Sequence, residues 1–97
     1  MFCINIFHWP LYTEDYEKEE PTTLMKYGGL RFNTIEKARK MVETLALFQR
    51  QMMSQKPHIN DIRLDNHFND TRPHLLVMVR DKGKDYILSR YEIETLR

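Results

Sequence analysis

The fold of this chain is decided by residues 33–54, which read NTIEKARKMVETLALFQRQMMS. Apolar side chains recur in this stretch at spacings of three and four residues, the period of one helix face. The predicted buried stripe consists of Ile35, Ala38, Met41, Val42, Leu45, Phe48 and Met52. Asn33 or Thr34 can cap the first turn, and Pro57 cannot continue the helix. We therefore predict one long amphipathic helix from Asn33 to Ser54.

Strand patterns flank this helix on both sides. Short runs rich in aromatic, β-branched or alternating apolar residues predict strands. Gly28 and Gly29 are expected to form a turn or bulge before residues 30–32. The predicted strands are residues 1–7, 22–27, 61–65, 74–80 and 85–90. Between the last two, Gly83 can supply the left-handed residue of a hairpin turn. The tail, residues 91–97, fits either a continued strand or a helical turn.

The order of these elements is β-β-α-β-β-β. Laying the helix across one face of the sheet is the simplest way to bury its apolar stripe. We predict a two-layer α+β fold, in which one long helix packs on a mainly antiparallel sheet of four to five strands. With 97 residues, the chain is expected to form a single domain, residues 1–97.

Composition limits the classes of function. The chain is 41% hydrophobic and 30% charged, as in ordinary globular domains, and its formal charge of +1 directs it toward no particular partner. Its single cysteine, Cys3, cannot form an intrachain disulfide. The apolar run at the start, interrupted by Asn5 and His8, is too short for a signal peptide or membrane span. We expect a cytoplasmic protein that acts away from membranes and needs no cofactor.

A segment rich in carboxylates and aromatic rings follows the first predicted strand. Exposed Trp and Tyr are enriched in binding hot spots, and carboxylates can complement a basic partner. Alternatively, the carboxylates form a solvated loop and Trp9 closes the core. The candidate partner-binding residues are Trp9, Tyr12, Glu14, Asp15, Tyr16, Glu17, Glu19 and Glu20.

Two other groups of residues suggest different functions. A basic group near the start of the helix could contact nucleic-acid phosphates, although Glu36 and Glu43 share that helix surface. It comprises Lys26, Arg31, Lys37, Arg39 and Lys40. Within the polar segment 58–74, the side chains of Asp65, His67 and His74 could converge on a divalent metal ion of an enzyme. The simpler interpretations are a solvated helix face and a polar loop.

The sequence contains no arrangement of residues that specifies catalysis, so no catalytic residue is assigned. We expect a small non-catalytic protein-binding module, an inhibitor or adaptor that occupies a partner's surface, as short chains from phages and other mobile elements often do. A nucleic-acid-binding domain is the first alternative. A metal-dependent enzyme is the second.

Overall fold

The computed structural model describes residues 1–14, 18–25, 30–54 and 60–96 of the chain. The elements are β1 (Phe2–Thr13), β2 (Thr22–Met25), β3 (Arg31–Phe32), α1 (Ile35–Met53), β4 (Asn60–His67), β5 (His74–Asp81) and β6 (Lys84–Thr95). The strands lie in the order β2-β1-β6-β5-β4, and all pairs are antiparallel. The two-residue β3 also pairs with β1 and is an addition to the predicted order. The two-layer α+β architecture is confirmed.

Helix α1 begins and ends close to the predicted positions. Thr34, and not Asn33, is the N-cap, because its hydroxyl accepts a hydrogen bond from the Lys37 backbone N–H at 3.3 Å. Ser54 closes the other end, where its N–H donates to the Arg50 carbonyl. The expected stop at Pro57 lies outside the described residues. The helix packs on the sheet through small side chains four residues apart, the fully buried Ala38, Val42 and Ala46.

Strand β1 is longer than the sequence predicts, because it continues through Pro10 to Thr13. Its pairing with β6 is interrupted between His8 and Thr13, so that residues 9–12 form a bulge. Pro10 has no N–H to donate and is tolerated at such a break in the ladder. Tyr12 adopts a positive φ of 40° within it. Tyr12, one of the candidate partner-binding residues, therefore belongs to the strand, which ends at Thr13.

The β5–β6 hairpin is built as predicted. Lys82 and Gly83, the two residues of its turn, have φ values of 53° and 78°. Positive φ at both central residues defines the turn type whose twist matches that of the flanking strands. The hairpin places Asp81 opposite Lys84. Beyond the predicted strand, β6 continues to Thr95, which decides the conformation of the tail in favour of a strand.

The two faces of the sheet differ, and we call them the helix side and the open side. The helix side carries the main core, to which β1, α1, β4, β5 and β6 all contribute. Phe68 also belongs to this core, although the sequence predicts a polar loop over residues 66–73. The open side carries a smaller apolar cluster of Trp9, Leu76 and Ile87. In the part of the chain that the structure describes, no helix has both the length and the apolar character needed to cross a membrane.

Candidate functional site

The two halves of α1 are buried to different extents. The predicted stripe is correct up to Leu45, but Phe48 is 61% exposed and Met52 is 56% exposed. The prediction that these two side chains belong to the core is wrong. The face of the helix that meets the sheet continues after Leu45 through Gln49 and Met53, which are partly buried, and Phe48 and Met52 lie beside this face. Leu47, on the same half of the helix, is also exposed.

These exposed side chains border a groove between the second half of α1 and the sheet. We call it the helix groove, and its volume is about 320 Å³. It is lined by Ile6, His8, Leu45, Phe48, Gln49, Met52, Met53 and Tyr91. None of these residues is an Asp, Glu, Lys or Arg, in a chain of which 30% is charged. The helix groove is therefore an apolar surface bordered by Phe48 and Met52.

Polar groups in and beneath the helix groove bond to one another. The Ser89 hydroxyl accepts a hydrogen bond from Gln49 Nε2 at 2.7 Å and lies 2.8 Å from His8 Nδ1. The Tyr91 hydroxyl donates to Gln49 Oε1. Burial raises the pKa of Tyr91 to about 12, so its hydroxyl stays protonated and can act as this donor. A ligand in the helix groove therefore need not supply these bonds.

We call the carboxylate-rich residues 14–20 the acidic loop. The two aromatic candidate residues that precede it, Trp9 and Tyr12, make contacts within the fold. Trp9 is 5% exposed, and its indole N–H donates to the Glu19 carbonyl at 3.0 Å. Tyr12 is half-buried, packs on Tyr86 and donates its hydroxyl to Asp81, which raises its pKa. The indole of Trp9 closes the open-side cluster and is thus not exposed as an anchor for a partner.

The carboxylates of the same segment are less constrained. Glu14, Glu19 and Glu20 are exposed. Glu14 forms an ion pair with Lys84, and this pairing raises the pKa of the lysine. The other candidate residues of the loop, Asp15, Tyr16 and Glu17, lie outside the described residues. The acidic loop remains accessible through its carboxylates.

The described candidate nucleic-acid residues differ in their exposure. Arg31, Lys37 and Lys40 are exposed, whereas Lys26 lies outside the described residues. The guanidinium of Arg39 stacks over the Phe68 ring and donates to the Phe68 carbonyl, so this side chain packs against the protein. The described residues of this group thus present three exposed cations.

The histidines predicted as metal ligands do come together. His67 ends β4 and His74 begins β5, and the two residues are direct partners in the antiparallel ladder. Their rings are stacked with centroids 4.7 Å apart. Asp65 Oδ2 lies 3.0 Å from His67 Nε2, and Asp70, which the sequence analysis did not select, lies 3.6 Å from His67 Nδ1. We call Asp65, His67, Asp70 and His74 the histidine cluster.

His74 is the buried member of this cluster, with 6% of its surface exposed. Burial lowers its pKa, and the electrostatic effects of Arg90 and of the neighbouring His67 ring act in the same direction. The hydrogen bond to the Arg72 carbonyl and the charge of Asp70 oppose this shift without reversing it. His74 therefore favours the neutral form more strongly than a histidine in water does.

A second cavity lies on the open side near the β4–β5 turn, with a volume of about 400 Å³. Its lining includes the polar side chains of Asn5, Arg72, Glu92 and Glu94. Three of these four groups are already paired, since Asn5 Nδ2 donates to Glu94 Oε2 at 2.9 Å and Glu92 accepts from Arg90 at 2.7 Å. This cavity is therefore polar and internally hydrogen-bonded, unlike the helix groove.

Sequence reasoning missed the helix groove and Asp70. One signal for the groove was present, because Leu47 and Phe48 are adjacent and apolar, and adjacent residues do not share one narrow helix stripe. Asp70 gave no such signal. It depends on a turn in which the Asp70 N–H donates to the His67 carbonyl at 3.2 Å.

Neither a protein-family model, nor a curated protein, nor a solved structure matches this chain.

Proposed function

We propose that this chain is a non-catalytic protein-binding module that docks an amphipathic helix of a partner protein in the helix groove. The exposure of Phe48 and Met52 beside an apolar groove carries this proposal. Exposed apolar surface of this kind often marks a site of protein association. Acting as an inhibitor or as an adaptor is compatible with such docking.

The backbone around the helix groove favours a helical ligand over an extended one. Ile6 and His8 in β1 are paired on both sides, with β2 and with β6. Tyr91 in β6 is paired with β1 and with β5. An extended peptide binds to a free strand edge through backbone hydrogen bonds, and these strands offer no free edge there. Recognition must then occur through side chains, as when an amphipathic helix lies in an apolar groove.

The charge of the lining further defines the ligand. Because its polar groups bond to one another, a buried charge on the ligand would find no partner of opposite charge in the lining. The contacting face of the ligand helix should therefore be apolar. Glu14, Glu19 and Glu20, the described carboxylates of the acidic loop, do not line the helix groove, and the same experiment can compare them with it.

The test uses three variants of the tagged full chain. The groove variant combines Phe48→Ser with Met52→Ser, and the matched control combines Glu43→Ser with Arg50→Ser on exposed positions of the same helix. Because the replaced side chains are exposed, each variant should keep the free energy of unfolding of the wild type, measured by urea denaturation, to within about 0.5 kcal/mol. The third variant replaces Glu14, Glu19 and Glu20 by Gln.

Companion proteins are quantified by mass spectrometry, and a photo-crosslinking residue at position 48 locates the contact. We expect a companion that the wild type and the control retain and the groove variant loses at least tenfold. The crosslinked peptide should have apolar residues at spacings of three and four. Retention of every companion by the groove variant would contradict the proposal, and loss only from the Gln variant would move the binding site to the acidic loop.

A second copy of the chain is the other possible occupant of the helix groove. Light scattering after size-exclusion chromatography of the purified protein distinguishes this case. We expect a monomer at micromolar concentration. A dimer that the groove variant dissociates and the control does not would replace the partner helix by a second copy.

A further inference from the structure

We propose that His67, Asp70 and His74 form a binding site for a divalent transition-metal ion of the Zn²⁺ class at the β4–β5 turn. One donor atom from each of the three side chains lies within 4.8 Å of the other two. This site is on the open side, is independent of the helix groove, and does not depend on the proposed protein-binding function.

The fold fixes the positions of the three residues. The antiparallel pairing of His67 with His74 holds the two rings side by side at one end of β4 and β5. In the turn between them, the Phe68 N–H donates to Asn66 Oδ1 at 2.8 Å and the Asp70 N–H donates to the His67 carbonyl. These bonds bring the Asp70 carboxylate to the His67 ring.

Hydrogen bonds outside the site determine which ring nitrogens are free to bind an ion. His74 Nδ1 lies 2.7 Å from the Arg72 carbonyl oxygen, which can only accept, so Nδ1 carries the hydrogen and Nε2 presents a lone pair. His67 Nε2 lies 3.0 Å from Asp65 Oδ2, which leaves Nδ1 with the lone pair. Metal-binding histidines usually have such a partner for the second nitrogen.

The distance between two of the three ligands is close to that around a small tetrahedral ion. Two nitrogen or oxygen ligands of Zn²⁺, each at about 2.0–2.1 Å, are about 3.3–3.5 Å apart in a tetrahedral arrangement. His67 Nδ1 and Asp70 Oδ2 are 3.6 Å apart. The imidazole planes differ by only 8°, so the lone pairs must turn toward each other when an ion binds. The His67 side chain, 34% exposed, can make this movement while the buried His74 ring stays in place.

The donor set selects the class of metal. Two imidazole nitrogens and one carboxylate oxygen suit Zn²⁺ and neighbouring transition metals, whereas Mg²⁺ and Ca²⁺ prefer oxygen ligands alone. Three protein ligands leave the fourth tetrahedral position for water. Asp65, which the sequence analysis grouped with the ligands, acts in this arrangement as a positioning residue that orients the His67 ring.

The test is calorimetric titration of the untagged full chain with Zn²⁺, followed by Mg²⁺. We expect one Zn²⁺ per chain and no heat with Mg²⁺. His67→Gln and Asp70→Asn should each weaken binding at least tenfold, and His8→Gln is the matched control that should leave it unchanged. Circular dichroism checks that each variant is folded, and the exposed Asp70 makes Asp70→Asn the safest of them.

NMR of the imidazole rings gives a second measurement that does not depend on a variant. Zn²⁺ should shift the resonances of His67 and His74 and leave those of His8 and His58 in place. Asp65→Asn should weaken binding about ten- to a hundredfold and alter the tautomer of His67, seen in its nitrogen shifts. Absence of Zn²⁺ binding, shifts confined to His8 or His58, or equal binding by Asp70→Asn would overturn the proposal.

Discussion

On the helix side of the sheet, β5 places Leu75, Val77 and Val79 in the main core under α1. On the open side, the same strand carries His74 and Leu76, of which only Leu76 belongs to an apolar cluster. One strand thus supplies a large core on one face and a mixed polar and apolar surface on the other. Apolar burial, and with it stability, is therefore concentrated on the helix side, and titratable groups on the open side displace less of the core.

The largest expected effect comes from a matched pair of substitutions in adjacent residues. Leu75→Ala removes a side chain that is 2% exposed in the main core, and Leu76→Ala removes one that is 7% exposed in the small cluster. We expect Leu75→Ala to lower the free energy of unfolding by about 4 kcal/mol and Leu76→Ala by about 2 kcal/mol. The difference arises because neighbouring side chains relax less into a cavity in the main core than into one in the small cluster. Urea denaturation at neutral pH measures both. Equal losses would show that the two faces contribute alike.

Trp9 tests how firmly the acidic loop is held to the open side. Trp9→Phe removes the indole N–H that donates to the Glu19 carbonyl, and it removes part of a buried ring. We expect a loss of about 1–2 kcal/mol in the free energy of unfolding. Glu19→Gln is the matched control, since the bond is to the backbone of Glu19, and it should leave stability unchanged. If Trp9→Phe leaves the free energy of unfolding unchanged, this bond contributes nothing to stability.

The sequence predicts the helix, the hairpin and the two-layer order because these follow from local periodicity. Thr34 and Gly83 sit where short-range chemistry alone requires a cap and a left-handed residue. Phe48 could not be placed in this way, because the sequence does not show whether the sheet contacts the helix through positions 48 and 52 or through Gln49 and Met53. Asp70 could not be selected either, since it approaches the His67 ring through a turn, closed by its N–H on the His67 carbonyl, that nothing in the sequence marks.

Trp9 is the converse of Phe48, because it was a candidate for an exposed anchor and is buried in the structure. Its residue type suggests an exposed anchor, but the bulge in β1 and the return of the chain at Glu19 bury it. Long-range contacts therefore decide which residues of a candidate site are accessible. Residue type and spacing decide only which residues are worth considering.

The smallest expected effect concerns an ion-pair group on the open side. Asp85 contacts Arg63 at 3.1 Å and Arg80 at 3.3 Å. Burial alone would raise the pKa of Asp85, but hydrogen bonds and charges from the two arginines outweigh it and lower the pKa below 3.8. A lowered folded-state pKa stabilises the fold above the unfolded value and loses that contribution as the pH falls through the folded value. Asp85→Asn should therefore slightly destabilise the protein at pH 7.

The pH dependence of this difference separates the two sides of the sheet. The difference in urea midpoint between wild type and Asp85→Asn should shrink toward zero as the pH is lowered below 3.8, and it should also shrink in high salt because the pairs are partly exposed. The loss caused by Leu75→Ala should stay constant over the same range, since no charge is removed from the helix side. If the difference in urea midpoint between wild type and Asp85→Asn is the same at neutral and acid pH, the carboxylate contributes through packing. The electrostatic contribution assigned to this part of the open side would then be wrong.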